Sequence, residues 1–268
     1  MRAIGTVAVN VFRESVRDRV PYNLVAFAVL LIGASYVLGQ LTAGQDVKII
    51  KDLGLAATSI FGLFIAIFIG IGLVSKEVER RSIYSLLAKP VSRTQFIIGK
   101  YVGLALTLVV NVAVMTLALY LVLAYMGWIE TPAMKAAADT PAVDPALLKA
   151  VLLIAIELMV VTAIALFFST FSTPLLSAAL TLGLYVAGRF NGDLRHLDAV
   201  VNSRAAIWLA RAAYHVLPDF AAFDVKTEVV HGLAVPAGYL VSTSAYGALY
   251  IAALLAGAAL IFSRRDFK

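Results

Sequence analysis

The sequence contains no cysteine, and only 14% of its 268 residues are charged. The lack of cysteine excludes disulfides, thiolate nucleophiles and cysteine metal sites. The sequence also lacks the G-x-x-x-x-G-K-[ST] loop that holds nucleotide phosphates and the H-E-x-x-H and G-x-S-x-G motifs of common hydrolases. We therefore assign no catalytic residue, and ATP, if this protein uses it, must bind elsewhere.

The composition is strongly apolar. Hydrophobic residues make up 62% of the chain and the mean hydropathy is +0.92, which is far more apolar material than a soluble core of this size needs. The net charge of +6 comes from cations beside apolar runs instead of along a soluble face, so we predict no nucleic-acid partner. The sequence predicts a polytopic, all-α membrane protein.

Apolar runs predict six membrane spans within a single domain, residues 1–268. About 20 apolar residues cross a bilayer, and the predicted spans are residues 22–41, 53–74, 102–126, 146–171, 174–190 and 239–262. Four glycines of the second span, Gly54, Gly62, Gly70 and Gly72, are expected at close helix contacts. Charged residues at positions 46–52 predict a short external loop, and residues 172–174 predict a tight internal turn.

Two further segments have amphipathic patterns. Residues 1–21 predict a helix lying along the inner leaflet. Residues 191–238 form a long external segment, in which residues 203–217 predict a helix at the outer interface. The turn that follows is expected to direct Phe220 and Phe223 towards the membrane.

A charged island at residues 75–103 lies between two long apolar runs. It holds six of the 22 Lys and Arg residues, namely Lys76, Arg80, Arg81, Lys89, Arg93 and Lys100. Because Lys and Arg near span ends resist translocation, we expect the island and both termini to be cytoplasmic. With this topology 13 of the 22 cations lie inside.

The island contains two helix signals. Ser82 is a suitable N-cap for a short helix with an apolar stripe, and Pro90 disfavours helical geometry at the residue before it. Ser92 and Gln95 have the spacing of a capping box. We predict a short cytoplasmic helix, and then a new helix that begins at Ser92 and enters the membrane.

This arrangement resembles the first cytoplasmic loop of the permease subunits of type-2 ABC exporters, the ABC-2 type transporter permeases. The resemblance rests on acidic residues after a span, a short apolar helix, the sequence PVSR, and GKYVG at the start of the next span. The ending FSRRDF and the layout of spans are also similar to that family, over nearly the whole chain. In that family the loop, here residues 75–101, carries a coupling helix that docks on a separate ATPase. The interface positions implied by the resemblance are Glu77, Glu79, Arg80, Arg81, Ser82, Tyr84, Leu86, Leu87, Pro90 and Arg93.

The resemblance also implies partners and a location. Two copies of a cytoplasmic ATPase would hold ATP and Mg, so the permease itself would be neither an enzyme nor a cofactor-binding protein. It would form a homodimer or pseudo-dimer in the lipid of the inner cell membrane. Importer permeases carry a longer E-A-A-type loop that is not found here, which favours export or extrusion of an amphiphilic, lipid-like or other substrate. The alternatives are a membrane scaffold that anchors a partner without transport and an ABC permease that serves metal-centre maturation. In the resembled family the N-terminal helix also touches the ATPase, and a simple lipid anchor is the other interpretation.

One acidic residue, Glu157, lies deep in a predicted span. Ionisable groups are costly inside a bilayer and usually mark function, so Glu157 lines a substrate path, pairs with Asn111 at a subunit interface, or forms a local polar contact between helices. Three histidines, His196, His215 and His231, fall in the external segment. Their wide spacing does not resemble a compact ligand set, and we predict no metal site.

Overall fold

A computed structural model of the chain describes residues 2–17, 19–40, 46–79, 92–129, 140–194, 214 and 216–264. Within these ranges the regular elements are helices, which confirms the predicted all-α class. The helices are α1 (Arg2–Arg17), α2 (Arg19–Gln40), α3 (Asp46–Glu79), α4 (Arg93–Ile129), α5 (Leu147–Ser169), α6 (Pro174–Arg189), α7 (Asn191–Leu194), α8 (Lys226–Val230) and α9 (Ala237–Arg264). A short 3-10 turn covers Ala221–Phe223.

Five helices in the described part of the chain, α2, α3, α4, α5 and α9, are long and apolar enough to cross a membrane. At 16 residues, α6 is about 24 Å long, which is less than the roughly 30 Å of a hydrocarbon core. Phe190 interrupts the helical path and α7 continues it for four residues. The fifth predicted span is therefore a helix too short to cross the hydrocarbon core alone, so its C-terminal end must be surrounded by protein where it stops within the bilayer.

The membrane helices run alternately up and down. Phe96 near the start of α4 stacks on Phe262 near the end of α9, with ring centroids 6.0 Å apart. At the other end of the bundle, Tyr120 Oη donates a hydrogen bond to the Asp144 carbonyl at 2.9 Å. We call the end that adjoins residues 80–91 the proximal end and the opposite end the distal end.

Close approach of helices in the core depends on small residues of α3. A Cβ atom added at Gly62 would lie 2.4 Å from Leu158 Cδ1 of α5, and one at Gly70 would lie 2.6 Å from Ala165 Cβ. Gly54 meets Leu119 of α4 in the same way, at 2.3 Å. Three of the four predicted glycine contacts are thus confirmed. The prediction for Gly72 is wrong, because nothing lies within 4 Å of its added Cβ.

The predicted N-terminal amphipathic helix is confirmed as α1, and its apolar face packs on the proximal part of α4. Val7, Ala8 and Val11 lie against Gly99 and Gly103. The charged residues of α1 for which exposure is described, Arg13, Glu14 and Arg17, are exposed on the other side. A protein surface therefore covers the face that a simple lipid anchor would bury in the bilayer.

The predicted external loop at residues 46–52 is wrong, since these residues form the first two turns of α3. Lys51, expected in water, is fully buried. Its Nζ donates hydrogen bonds to Thr140 Oγ1 at 3.0 Å and to the Pro141 carbonyl at 2.8 Å, and lies 3.9 Å from Asp144 Oδ2. The loop before α5 supplies these acceptors, so the Lys51 side chain can be buried within the helix bundle.

Candidate functional site

The proximal ends of α3 and α4 flank residues 80–91. With 34 and 37 residues, these helices are about 51 and 56 Å long, well beyond the roughly 30 Å of a hydrocarbon core. Both therefore extend out of the bilayer.

A capping box defines the start of α4, as predicted. The Gln95 backbone N–H donates to Ser92 Oγ at 3.2 Å, and the Ser92 backbone N–H donates to Gln95 Oε1 at 3.3 Å. These reciprocal bonds satisfy two amide groups that a helix start otherwise leaves unpaired. The chain thus passes from residues 80–91 into a helix with a sharply defined beginning.

The predicted ATPase-contact residues lie at or beyond the ends of these two helices. Glu77 and Glu79 are in the last turn of α3 and Arg93 is the first residue of α4; their side chains are outside the description. The other positions, Arg80, Arg81, Ser82, Tyr84, Leu86, Leu87 and Pro90, lie outside the described residues. The coupling helix at residues 82–87 stays a prediction.

The first turns of α4 are tied to two other helices. Lys100 is fully buried, and its Nζ lies 4.9 Å from the centroid of the Phe96 ring, the ring that stacks on Phe262 of α9. Tyr101 Oη donates to the Met159 carbonyl of α5 at 3.3 Å. A displacement of the start of α4 would therefore alter its contacts with α5 and α9.

A second polar site lies inside the distal half of the bundle. Arg189, the last residue of α6, places Nη2 3.0 Å from Oε1 of Glu157 on α5, and Glu157 is 1% exposed. Arg189 Nη1 donates a hydrogen bond to Asp224 Oδ2 at 2.8 Å, and Lys226 Nζ lies 3.3 Å from the same oxygen. We call Glu157, Arg189, Asp224 and Lys226 the charge chain.

Arg189 is also held by a tyrosine. Both Nε and Nη2 of Arg189 lie 3.2 Å from Tyr185 Oη, one turn earlier in α6. The contact between Arg189 and Glu157 is one of charge, because neither carboxylate oxygen accepts a hydrogen bond of normal geometry from the described residues. Burial acts to raise the pKa of the Asp224 carboxyl, but Lys226 and Arg189 outweigh it and hold that pKa below its usual range.

The charge chain includes part of a turn that enters the bundle. This distal turn, residues 218–225, buries Phe220 and Phe223 completely or nearly so. The Phe220 amide donates to the Gly188 carbonyl of α6 at 3.1 Å, and the Asp219 amide donates to Tyr246 Oη of α9 at 2.9 Å. The turn predicted here is present, but Phe220 and Phe223, which were expected to point towards the membrane, pack against protein between α6 and α9.

The other sequence predictions in this region have mixed outcomes. Within this chain Glu157 contacts Arg189 instead of Asn111, whose Nδ2 has no hydrogen-bond partner among the described residues. His231 is exposed, with Nδ1 2.9 Å from the Thr227 carbonyl. The described residues hold no group of three metal-ligand side chains. His196, His215 and most of the predicted helix at residues 203–217 lie outside the described residues.

Sequence reasoning missed Arg189 and Asp224. A signal was available for Arg189, which is charged and closes an apolar run. The helical hairpin turns at residues 170–173. Because its two helices have the same rise per residue, the last turn of α6 must lie at a depth close to that of Glu157. No comparable pattern indicates Asp224, since it is far along the chain.

Comparison with known proteins adds the family. The family model described as "ABC-2 family transporter protein" matches residues 6–267, nearly the whole chain and all the membrane helices described above. A comparison with curated proteins found no match. The chain therefore belongs to the ABC-2 family of transporter proteins and is a multi-pass membrane permease of an ABC transporter.

Proposed function

We propose that this chain is the membrane subunit of an ATP-driven exporter, moved by a separate cytoplasmic ATPase that docks on residues 82–87. The observation that carries the proposal is the pair of long helices α3 and α4, which extend beyond the bilayer and flank that segment. The capping box at Ser92 supports it, because a sharply started helix receives force without fraying.

The proximal contacts suggest how a push would spread. A force applied near Arg93 acts on α4, and through Tyr101 and Phe96 on α5 and α9. The helix α1 lies on the same part of α4 through Gly99 and Gly103. Any partner that touches α1 would therefore act on the same helix as one that docks on residues 82–87.

The orientation we propose places the proximal end in the cytoplasm. The excess of Lys and Arg on that side supports it. Two ATPase copies would then serve two permease chains in a homodimer or pseudo-dimer. The charge of Glu157 is compensated by Arg189 within this chain, so Glu157 alone is a poor site for a small cation. The substrate class that we propose is amphiphilic or lipid-like.

The direct test is co-purification. We expect this chain, expressed with its candidate partner ABC ATPase, to form a stable complex with two ATPase copies, and we expect ATP turnover to depend on the permease. A permease that elutes alone in detergent in the presence of that ATPase would contradict the proposal. A stable complex in which ATP changes nothing in the membrane helices would indicate the scaffold instead.

Reversing charge at the end of α3 should uncouple the two subunits. In a Glu77→Lys, Glu79→Lys double variant we expect permease-dependent ATPase activity to fall about tenfold. Like charges brought together at the interface would weaken the free energy of docking by about 1.4 kcal/mol, which corresponds to a tenfold loss of affinity. Membrane insertion should not change. Asp52→Lys, at the distal end of the same helix and exposed, is the control. Equal ATPase activity in the double variant and the control would remove these residues from the interface.

A further inference from the structure

We propose that Arg189 is a positioning residue that fastens the distal turn to the end of α6, so that helix and turn move as one unit during transport. The part that concerns transport rests on the proposed function. The fastening itself concerns this chain alone. The two parts can therefore fail separately.

Arg189 connects the two carboxylates of the charge chain. Its Nη2 faces Glu157 on α5 and its Nη1 faces Asp224 in the distal turn, at 3.0 and 2.8 Å. A guanidinium group has five N–H donors in a fixed plane, so Arg189 can donate to Asp224 and to Tyr185 Oη while its charge also faces Glu157. A lysine ammonium group is a compact point charge and could not reach all three in this geometry.

The backbone makes contact at the same place. The Gly188 carbonyl accepts the Phe220 amide at 3.1 Å, and a Cβ atom added at Gly188 would lie 2.5 Å from the Pro218 carbonyl oxygen. Arg189 is therefore adjacent to the point where the distal turn touches α6 most closely. Its side chain and the backbone hold the same two elements together.

The four residues of the charge chain alternate in the sign of their charge. Glu157 is 1% exposed while the Arg189 side chain is 21% exposed, so the acid depends on the arginine far more than the arginine depends on the acid. Removing one member of a buried pair leaves an uncompensated charge in a medium that solvates it poorly. The charge chain is therefore stable when it is complete and costly when it is partly broken, which suits a link that must hold through a movement.

The position of α6 extends this link through the bundle. The helix begins at Pro174 after residues 170–173, which we call the proximal turn. Ser172 Oγ in this turn lies 2.6 Å from Ser177 Oγ in the first turn of α6. Its distal end carries Arg189. A displacement of the proximal turn would move α6 as a rigid body and carry the distal turn with it.

A single cysteine can report whether the turn is fastened, because the natural chain contains none. Val225 ends the distal turn and is 4% exposed, so Val225→Cys should react slowly with a small maleimide in purified full-length protein. We expect Arg189→Gln and Asp224→Asn each to raise that rate about tenfold, as expected when opening becomes about 1.4 kcal/mol easier. Glu228→Gln, which removes an exposed acid from the same segment, should leave the rate unchanged.

A double variant separates positioning from general stability. In Glu157→Gln, Arg189→Gln the buried unpaired acid is gone, so the melting temperature should recover relative to Arg189→Gln while Val225→Cys stays rapidly labelled. Arg189→Lys keeps the charge and should melt near the wild-type temperature with an intermediate labelling rate. If labelling is slow in Arg189→Gln, or becomes slow again in the double variant, the fastening role is overturned.

The transport part needs the ATPase. In the wild-type complex, we expect the labelling rate of Val225→Cys to differ between nucleotide-free and ATP-trapped states, and to lose that difference in Arg189→Gln. Identical rates in the two states of the wild type would overturn a role in transport. Failure of the ATPase to bind would contradict the proposed function, and the labelling results on the permease alone would still decide the fastening.

Discussion

Replacing Lys51 by methionine is expected to lower the free energy of unfolding by about 3 kcal/mol, a typical cost of breaking a buried ionic contact. Methionine fills a similar volume but leaves Thr140 Oγ1, the Pro141 carbonyl and Asp144 without the ammonium group that they surround. Thermal unfolding in detergent should show a fall of about 6 to 12 °C in the melting temperature.

Lys149→Met is the matched control for Lys51. Lys149 Nζ also donates to a loop at the distal end, but its described contact is one bond to the Val235 carbonyl at 3.0 Å. It is partly exposed, so water can replace that bond and the expected cost is about 1 kcal/mol. Equal losses in the two variants would mean that the buried contacts of Lys51 add nothing special.

Replacing Gly103 by leucine is expected to force α1 away from α4. A Cβ atom at this position would lie 2.6 Å from the Ala8 carbonyl oxygen and 2.8 Å from Val11 Cβ. The nearest obstacle is backbone, which cannot rotate aside, so the cost should reach or exceed the roughly 1 to 3 kcal/mol of an overpacked core.

Limited trypsin digestion can measure the detachment of α1. Arg13 and Arg17 are exposed, but cleavage requires the helix to open, and the rate follows the population of the open form. We expect cleavage in Gly103→Leu to be about tenfold faster or more. Gly183→Leu on α6, where nothing lies within 4 Å of an added Cβ, is the control. Equal cleavage rates would show that α1 is not held by α4.

The membrane helices and the start of α4 were open to prediction because each depends on local pattern. Apolar length identifies a membrane helix, and the spacing of Ser92 and Gln95 identifies a capping box, whose two bonds join residues three apart. The turn at Phe220 was predicted for the same reason, since its residues are close together in the chain. Local pattern sufficed for the existence of all three features, but it did not show that Phe220 and Phe223 pack against protein instead of facing the membrane.

The errors concern contacts between distant residues. Lys51 looked like a loop residue because a charged side chain at a span end is normally solvated, and its acceptors lie about 90 positions later. The contact between Arg189 and Asp224 spans 35 positions. Periodicity reports which face of a helix is apolar, but it does not report which distant loop will supply an acceptor.

The continuity of α4 has a mechanical consequence. A helix of 37 residues is a stiff rod about 56 Å long, and a tilt of about 5° about one end moves the other end by roughly 5 Å. Trp128, 83% exposed at the distal end, would move through that distance if α4 tilted about its proximal end. A small change in the angle of α4 therefore becomes a side-chain-sized displacement at the opposite end without any hinge.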